Sequence, residues 1–105
     1  MSGTFQEVEA EPKFKATGGG GPAFFVYVLG TCGTAAFRTY VGWTTHLERR
    51  LAAHNSGRGA RSTRGQSWAL LYAERHATRR DAMSREWHLK RDRRFRKSLS
   101  PALNP

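Results

Sequence analysis

The sequence is poor in cysteine, in acidic residues and in long apolar runs. Its single cysteine, Cys32, cannot form a disulfide within the chain, and one thiol beside four histidines without paired spacing predicts no structural zinc. No apolar run approaches the roughly 20 residues that cross a bilayer, and the N-terminus lacks a basic segment followed by an apolar core. We therefore expect no membrane association and a reducing, cytoplasmic setting.

The scarcity of acidic residues makes the protein strongly basic. Only 8 acidic residues stand against 18 lysines and arginines, which gives a net charge of +10 over 105 residues. Residues 1–22 contain three glutamates and two lysines, a net charge of −1, so the remainder carries +11. Such an excess predicts a polyanionic partner, because each phosphate that is neutralised releases condensed counterions. A basic ribosome-associated protein would show the same charge, so charge alone does not identify the polyanion.

The chain divides into a tail and one domain. Residues 1–22 predict a disordered tail, because they contain few large apolar residues and end in four glycines before Pro22. The segments AFFVYVLGT, FRTYVGW and WALLYAER then predict three strands, of which the first two form a hairpin. With helices after the second and third strands and a short last helix, the order predicts an α+β fold with a small three-stranded antiparallel-type sheet flanked by helices. This domain spans residues 23–100, and residues 101–105 form a C-terminal tail.

The helix after the second predicted strand carries several polar side chains. Thr45 and Glu48 have the spacing of a capping box, which predicts the start of the helix. Arg50 and His54 lie one turn apart on the same side, and Asn55 stands at the helix end. These residues are compatible with packing, with nucleic-acid binding or with chemistry.

The loop after this helix, SGRGARSTRGQS, places three arginines among small residues: Arg58, Arg61 and Arg64. Guanidinium groups in such a loop can lie along a phosphate backbone. The alternative is a solvated, flexible loop, and composition does not separate the two interpretations.

The second helix raises the question of its glutamate. Thr78 and Asp81 predict its start, and helical spacing puts Glu86 on the same stripe as Leu89. A carboxylate on an apolar face is costly unless a cation or a metal compensates its charge. The alternatives are an ion pair with an arginine such as Arg93, exposure at the edge of the stripe, or metal binding.

Taken together, these elements resemble a known family. The segments FVYVL, TYVGWTTHLERRLAAHN, RSTRG, WALLYAE and SREWHLKR are similar to the GIY-YIG endonuclease superfamily, in particular to its small stand-alone bacterial members. The resemblance covers residues 24–99. The three residues YVG are a weak signal alone. Their combination with an upstream strand tyrosine, an arginine ten residues after Tyr40, His-Asn at a helix end and a later helical glutamate is far more specific.

The resemblance implies roles for five residues. Tyr27 and Tyr40 correspond to the motif tyrosines, and both are expected to project from paired strands toward one site. Arg50 corresponds to the catalytic arginine, which would clamp the scissile phosphate with its planar, permanently charged fork. His54 occupies the position of a catalytic histidine in several members. Glu86 corresponds to the single carboxylate that binds Mg²⁺ or Mn²⁺.

Three positions near these motifs call for comment. Gly42 matches the motif glycine, whose missing side chain would permit a close approach. Phe25 stands in place of the first motif glycine, as an aromatic residue often does in the small stand-alone members. Trp43 replaces a lysine that could assist the tyrosine in some repair-nuclease relatives, so the general base is left open among Tyr27, Tyr40 and His54. Trp43 could stack on an exposed base or simply pack.

The resemblance therefore implies a divalent-metal-dependent endonuclease that hydrolyses phosphodiester bonds in DNA, single-stranded or branched, in repair or processing. RNA is the less favoured substrate, and the expected location is the cytoplasm, including the nucleoid. The alternative is a nucleic-acid-binding module on the same fold with little or no turnover. Predicted nucleic-acid contacts are Trp43, Asn55, Arg58, Arg61 and Arg64.

Overall fold

The computed structural model describes residues 13–16, 23–32 and 36–100. Strands β1 (Lys13–Ala16), β2 (Phe24–Thr31) and β3 (Thr39–Thr44) precede helix α1 (Leu47–Asn55) and a single 3₁₀ turn (Arg61–Thr63). Strand β4 (Trp68–His76) is followed by helices α2 (Arg79–Arg91) and α3 (Arg93–Ser98). The strands form one sheet in the order β1-β4-β2-β3. None of the helices in the described ranges is long and apolar enough to cross a membrane.

The predicted α+β class and its antiparallel sheet are confirmed. Strand β2 pairs antiparallel with β3 on one side and with β4 on the other, as the hairpin and crossover predicted. The structure adds β1, which pairs parallel with the free edge of β4. The prediction of a disordered tail is therefore wrong for these four residues. The other residues of the predicted tails, 1–12, 17–22 and 101–105, lie outside the described ranges, and the domain boundaries stay a prediction.

The central strand β2 is buried on both faces, which explains its continuous apolar run. Because side chains alternate along a strand, Val26 and Val28 point to one face and Tyr27 and Leu29 to the other. The first face packs with the buried residues Val41, Tyr72, Ala82, Leu89 and Leu99. The second packs with the buried residues Trp68 and Ala73 and, around them, with Tyr40, Leu47, Leu51 and Leu70. The sheet thus has α2 and α3 on one side and α1 on the other.

The predicted helix starts have different outcomes. The Asp81 amide donates to the Thr78 hydroxyl at 3.0 Å, so the prediction for α2 is confirmed. The capping box at Thr45 and Glu48 is wrong, because α1 begins at Leu47 and its N-cap, His46, makes no side-chain cap. The hydroxyl of the preceding Thr44 instead accepts from the His46 amide at 3.1 Å. This local turn carries the chain beyond the predicted start before the helix begins.

The predicted short last helix is present, as α3. Asp92 caps α3 by accepting from the Phe95 amide at 3.0 Å. Phe95 packs edge-on against Tyr72, with ring centroids 5.0 Å apart, and Leu99 is buried in the same core. The arginines of α3 at positions 93 and 94 stay exposed.

Candidate active site

The two motif tyrosines and His54 meet on the α1 side of the sheet. Tyr27 pairs with Gly42 and Leu29 pairs with Tyr40, so both tyrosine rings leave the same face of the β2–β3 hairpin. Helix α1 brings His54 against them: its ring centroid lies 4.8 Å from that of Tyr40 and 5.9 Å from that of Tyr27. The expectation that the paired strands project both tyrosines toward one place agrees with this geometry.

His54 lies in the middle of a buried hydrogen-bond chain. Its Nε2 is 2.9 Å from the Tyr27 hydroxyl, and its Nδ1 is 2.8 Å from the Thr63 hydroxyl. Thr63 donates its only hydroxyl proton to the Ala60 carbonyl at 2.8 Å, so its oxygen must accept from Nδ1–H. The neutral ring therefore carries its proton on Nδ1, and its Nε2 accepts a hydrogen bond from the Tyr27 hydroxyl. His54 and Thr63 are both 0% exposed, which shields the chain from bulk water.

Burial favours the neutral forms of the two titratable groups in this hydrogen-bond chain, Tyr27 and His54. Burial raises the pKa of Tyr27 to about 12 even though a hydrogen bond from Arg50 acts in the opposite direction. Burial, followed by the positive charge of Arg50, lowers the pKa of His54 below its usual 6.5. The interaction with the Tyr27 hydroxyl raises the pKa of Arg50 above its usual value. At neutral pH the site thus has a protonated phenol, an unprotonated imidazole acceptor and a fixed cation.

A second set of contacts holds Thr63 in place. The indole Nε1 of buried Trp68 donates to the Thr63 carbonyl at 2.8 Å. Asn55 uses both ends of its amide on the backbone of Trp68: Nδ2 donates to the carbonyl at 3.0 Å, and Oδ1 accepts from the amide at 2.6 Å. These bonds join the end of α1 to the start of β4. They favour a positioning role for Asn55 over the predicted nucleic-acid contact.

Two glycines permit the close packing around the hydrogen-bond chain of Tyr27, His54 and Thr63. A Cβ atom on Gly42 would lie 2.5 Å from the Tyr27 hydroxyl oxygen and 2.8 Å from its ring carbon Cζ. A Cβ atom on Gly59 would overlap Nδ1 of His54. The close approach inferred for Gly42 is thus an approach of Tyr27 itself, and Gly59 does the same for the loop that carries Thr63.

Glu86 lies on α2, where its side chain is 21% exposed. Its ion-pair partner is Lys90, with Nζ 3.5 Å from Oε2, so the sequence-based suggestion of Arg93 is wrong. Its negative charge contributes to the raised pKa of Tyr27, although less than burial does. Within the described ranges, no three histidine, cysteine or acidic side chains cluster as a metal site. A lone carboxylate suits Mg²⁺, which keeps several waters and binds through one or two carboxylates.

The other predicted contact residues are Trp43 and the three loop arginines. Trp43 leaves β3 on the opposite face from Tyr40 and is half-buried beside Phe24. The three loop arginines are exposed, in agreement with either interpretation of their role: Arg58, Arg61 and Arg64. The loop itself is more structured than its composition indicated, because the 3₁₀ turn places Thr63 in the interior.

A buried glutamate on β4 was missed by the sequence analysis. Glu74 is 3% exposed and accepts from Arg85 Nε at 3.0 and 2.9 Å, as well as from the Tyr72 hydroxyl. Burial opposes its ionisation, but hydrogen bonds from Tyr72, His76 and Arg85 outweigh burial and lower the pKa of Glu74. This network ties α2 to the sheet one residue away from Glu86. A glutamate that directly follows the apolar run WALLYA, within the same predicted strand, is the signal that could have revealed it.

Comparison with known proteins agrees with this arrangement. A family model described as the GIY-YIG catalytic domain matches residues 24–98. The chain belongs to the GIY-YIG family. Membership in this nuclease family indicates endonuclease-type activity on nucleic acid.

The similar relatives of this GIY-YIG protein are bacterial. A protein from Streptococcus pneumoniae named UPF0213 protein is 45% identical over 74 residues, which are 70% of this chain and 72% of the relative. A UPF0213 protein from Clostridium perfringens is 43% identical over 68 residues, covering 64% and 70%. Another from Lacticaseibacillus paracasei is 39% identical over 77 residues, covering 72% and 83%. No solved structure matches the chain.

Proposed function

We propose that this protein is a divalent-metal-dependent endonuclease that hydrolyses phosphodiester bonds in single-stranded or branched DNA, in repair or processing. The observation that carries the proposal is the hydrogen-bond chain from Tyr27 through His54 to Thr63, with Arg50 at its outer end. A surface that only binds phosphates has no use for a buried phenol-to-imidazole contact. A reaction that removes a proton from water does.

The residues act in a definite order in this proposal. Arg50 clamps the scissile phosphate and stabilises the charge that builds on its oxygens. A water beside the Tyr27 hydroxyl gives it a proton while Tyr27 passes its own proton to Nε2 of His54. The hydroxide oxygen attacks phosphorus, the bond from phosphorus to the leaving oxygen breaks, and that oxygen takes up a proton from a solvent water on the opposite side of the phosphate.

In this proposal the function of the general base is divided between Tyr27 and His54. Tyr27 has a pKa of about 12, so it is a poor resting base, but as a relay it never needs to hold a negative charge. His54 is the final acceptor, since its lowered pKa keeps it unprotonated at neutral pH. Tyr40 packs against His54 and supplies part of the wall around the relay.

Glu86 is the proposed ligand of Mg²⁺ or Mn²⁺. The bound ion would neutralise charge on the phosphoryl oxygens and lower the pKa of the attacking water. The only ion pair of Glu86 among the described residues is an i,i+4 contact with a half-exposed lysine, which is weak and leaves the carboxylate available. Without an ion, its charge would repel phosphate, which argues against a module that only binds.

A cleavage assay tests the proposal. Labelled single-stranded, duplex, flapped and four-way-junction DNA are incubated with Mg²⁺, Mn²⁺ or EDTA, alongside an RNA of equal length. We expect metal-dependent products from the wild type, none from Glu86→Ala, and binding by that variant at least as strong as that of the wild type. Glu48→Gln, which removes an exposed carboxylate from α1, is the control and is expected to cleave. Tight binding without products from the wild type on every substrate would establish the binding module instead.

A further inference from the structure

A second concave surface lies beside the active site and shares one of its residues. It is an open cleft of about 650 Å³, lined by Phe24, Trp43, Thr44, Thr45, Arg50 and Arg79. Arg50 thus borders both the relay on the α1 side and this cleft at the end of β3. A strand whose phosphate is clamped by Arg50 would have its neighbouring nucleotide at the mouth of the cleft.

The floor of the cleft is aromatic and its edge is cationic. Trp43 is half-buried, and its ring lies 6.3 Å from that of Phe24 at an angle of 52°, which fixes it against the core. The guanidinium carbon of Arg79, an exposed residue, lies over the Trp43 ring, 5.5 Å from its centre, so this mobile side chain has to move outward to admit a base between the two groups. A tryptophan face next to a planar cation is the combination on which proteins stack unpaired bases.

The position of the cleft along α2 relates it to the proposed metal ligand. Arg79 and Glu86 are seven residues apart, so they occupy the same stripe of the helix and are separated by about 10 Å along its axis. A base on Trp43 would therefore belong to a nucleotide close to the phosphate held by Arg50 and by the ion that Glu86 would bind. The basic charge of the domain complements the strand that would follow this path.

We propose that the cleft binds one unpaired nucleobase of the DNA strand being cut, stacked on Trp43 and covered by Arg79. This inference rests on the proposed nuclease function and specifies its substrate: DNA with an unstacked nucleotide beside the scissile phosphate. In an intact duplex that base lies inside the stack and would have to be extruded at a cost. The cleft thus selects single strands, flaps and frayed junctions over continuous duplex.

Binding measured in EDTA tests the subsite independently of turnover. A short single-stranded DNA is compared with a series that carries one abasic residue at each position in turn, using the wild type and Trp43→Leu. One position is expected to weaken wild-type binding by about 5- to 150-fold, and Trp43→Leu to weaken binding of the intact strand equally. At that position, the abasic residue and Trp43→Leu together should weaken binding no more than either change alone, because both remove the same stacking contact.

Two further variants make the result independent of folding defects. Trp43→Phe keeps an aromatic face and should restore most of the affinity and the dependence on the abasic position. Arg79→Gln should weaken single-strand binding more than Arg80→Gln, its exposed neighbour and charge-matched control. Additive costs of Trp43→Leu and the abasic residue at every position would overturn the subsite, while metal-dependent cleavage would still uphold the nuclease. Equal coupling on an RNA strand would overturn the assignment to DNA.

Discussion

The strongest consequence of the hydrogen-bond chain concerns Thr63, a residue that would not touch the substrate. Thr63→Val keeps the shape of the side chain but removes the oxygen that accepts from His54 Nδ1 at 2.8 Å. Because both residues are 0% exposed, no bulk water replaces the lost acceptor. The tautomer that presents an unprotonated Nε2 to Tyr27 then loses its support.

The expected magnitudes follow from this unsatisfied donor. Leaving a buried N–H unpaired costs about 1–3 kcal/mol of folding free energy, and each kcal/mol corresponds to about 4–8 °C in Tm for a domain of this size. Losing about 1–2 kcal/mol of preference for the productive tautomer slows the chemical step about 5- to 30-fold. Thr63→Ser keeps the hydroxyl, and with it both the acceptor for His54 and the donor to Ala60.

The assay is single-turnover cleavage at saturating Mg²⁺, with thermal unfolding measured on the same samples. We expect Thr63→Val to be slow and less stable, and Thr63→Ser to be close to wild type in both respects. A Thr63→Val enzyme that is destabilised but cleaves at the wild-type rate would refute the tautomer argument and leave Thr63 with a packing role. A serine variant as slow as the valine variant would also refute it.

Two other changes act on the same chain. Gly42→Ala places a methyl group 2.5 Å from the Tyr27 hydroxyl oxygen, so Tyr27 must move. We expect single-turnover cleavage to fall at least tenfold, about the effect of 1.4 kcal/mol, while DNA binding in EDTA is unchanged; an unaffected rate would contradict this geometry. The lowered pKa of His54 predicts a pH effect on stability. Below about pH 6.5, His54 is protonated in the unfolded chain but still neutral in the folded protein. The free energy of unfolding therefore decreases as the pH is lowered, until the lower pKa of folded His54 is reached. His54→Gln should flatten this decline in urea titrations, and an unchanged slope would contradict a neutral buried ring.

The strands around the site were predictable because local sequence patterns indicate which of their residues are buried. Strand β2 is apolar on both faces. In strand β3, the alternation along TYVGW predicts which side chains share a face. Strand β1 was missed because its four residues, KFKA, contain one large apolar side chain and carry no such pattern. It forms where β4 offers a free edge, which is a property of the assembled sheet.

The site was predictable only as far as single residues carry the chemistry. Tyr27, Arg50, His54 and Glu86 could be named through the resemblance of their motifs to the GIY-YIG superfamily, while the residues alone left other interpretations open. Thr63 could not be named, because its role depends on the loop turning back against α1. The arginines around it indicated only phosphate contacts or a solvated loop. The Glu74 network was missed for a similar reason, since its partner Arg85 comes from α2, which only the tertiary structure brings next to β4.

The burial of His54 constrains how the proposed catalytic cycle must close. Once Nε2 has taken the proton, both ring nitrogens hold protons, one directed at Tyr27 and one at Thr63, inside a site that is 0% exposed. The Thr63 hydroxyl donates its hydrogen bond to the Ala60 carbonyl, and neither group is basic enough to take up the proton on that side. The proton can leave only through Tyr27, to the hydroxide that remains in solvent after a water has protonated the departing oxygen. The relay would therefore run in both directions, first to form the hydroxide nucleophile and then to return His54 to its neutral form, and Tyr27→Phe should abolish cleavage.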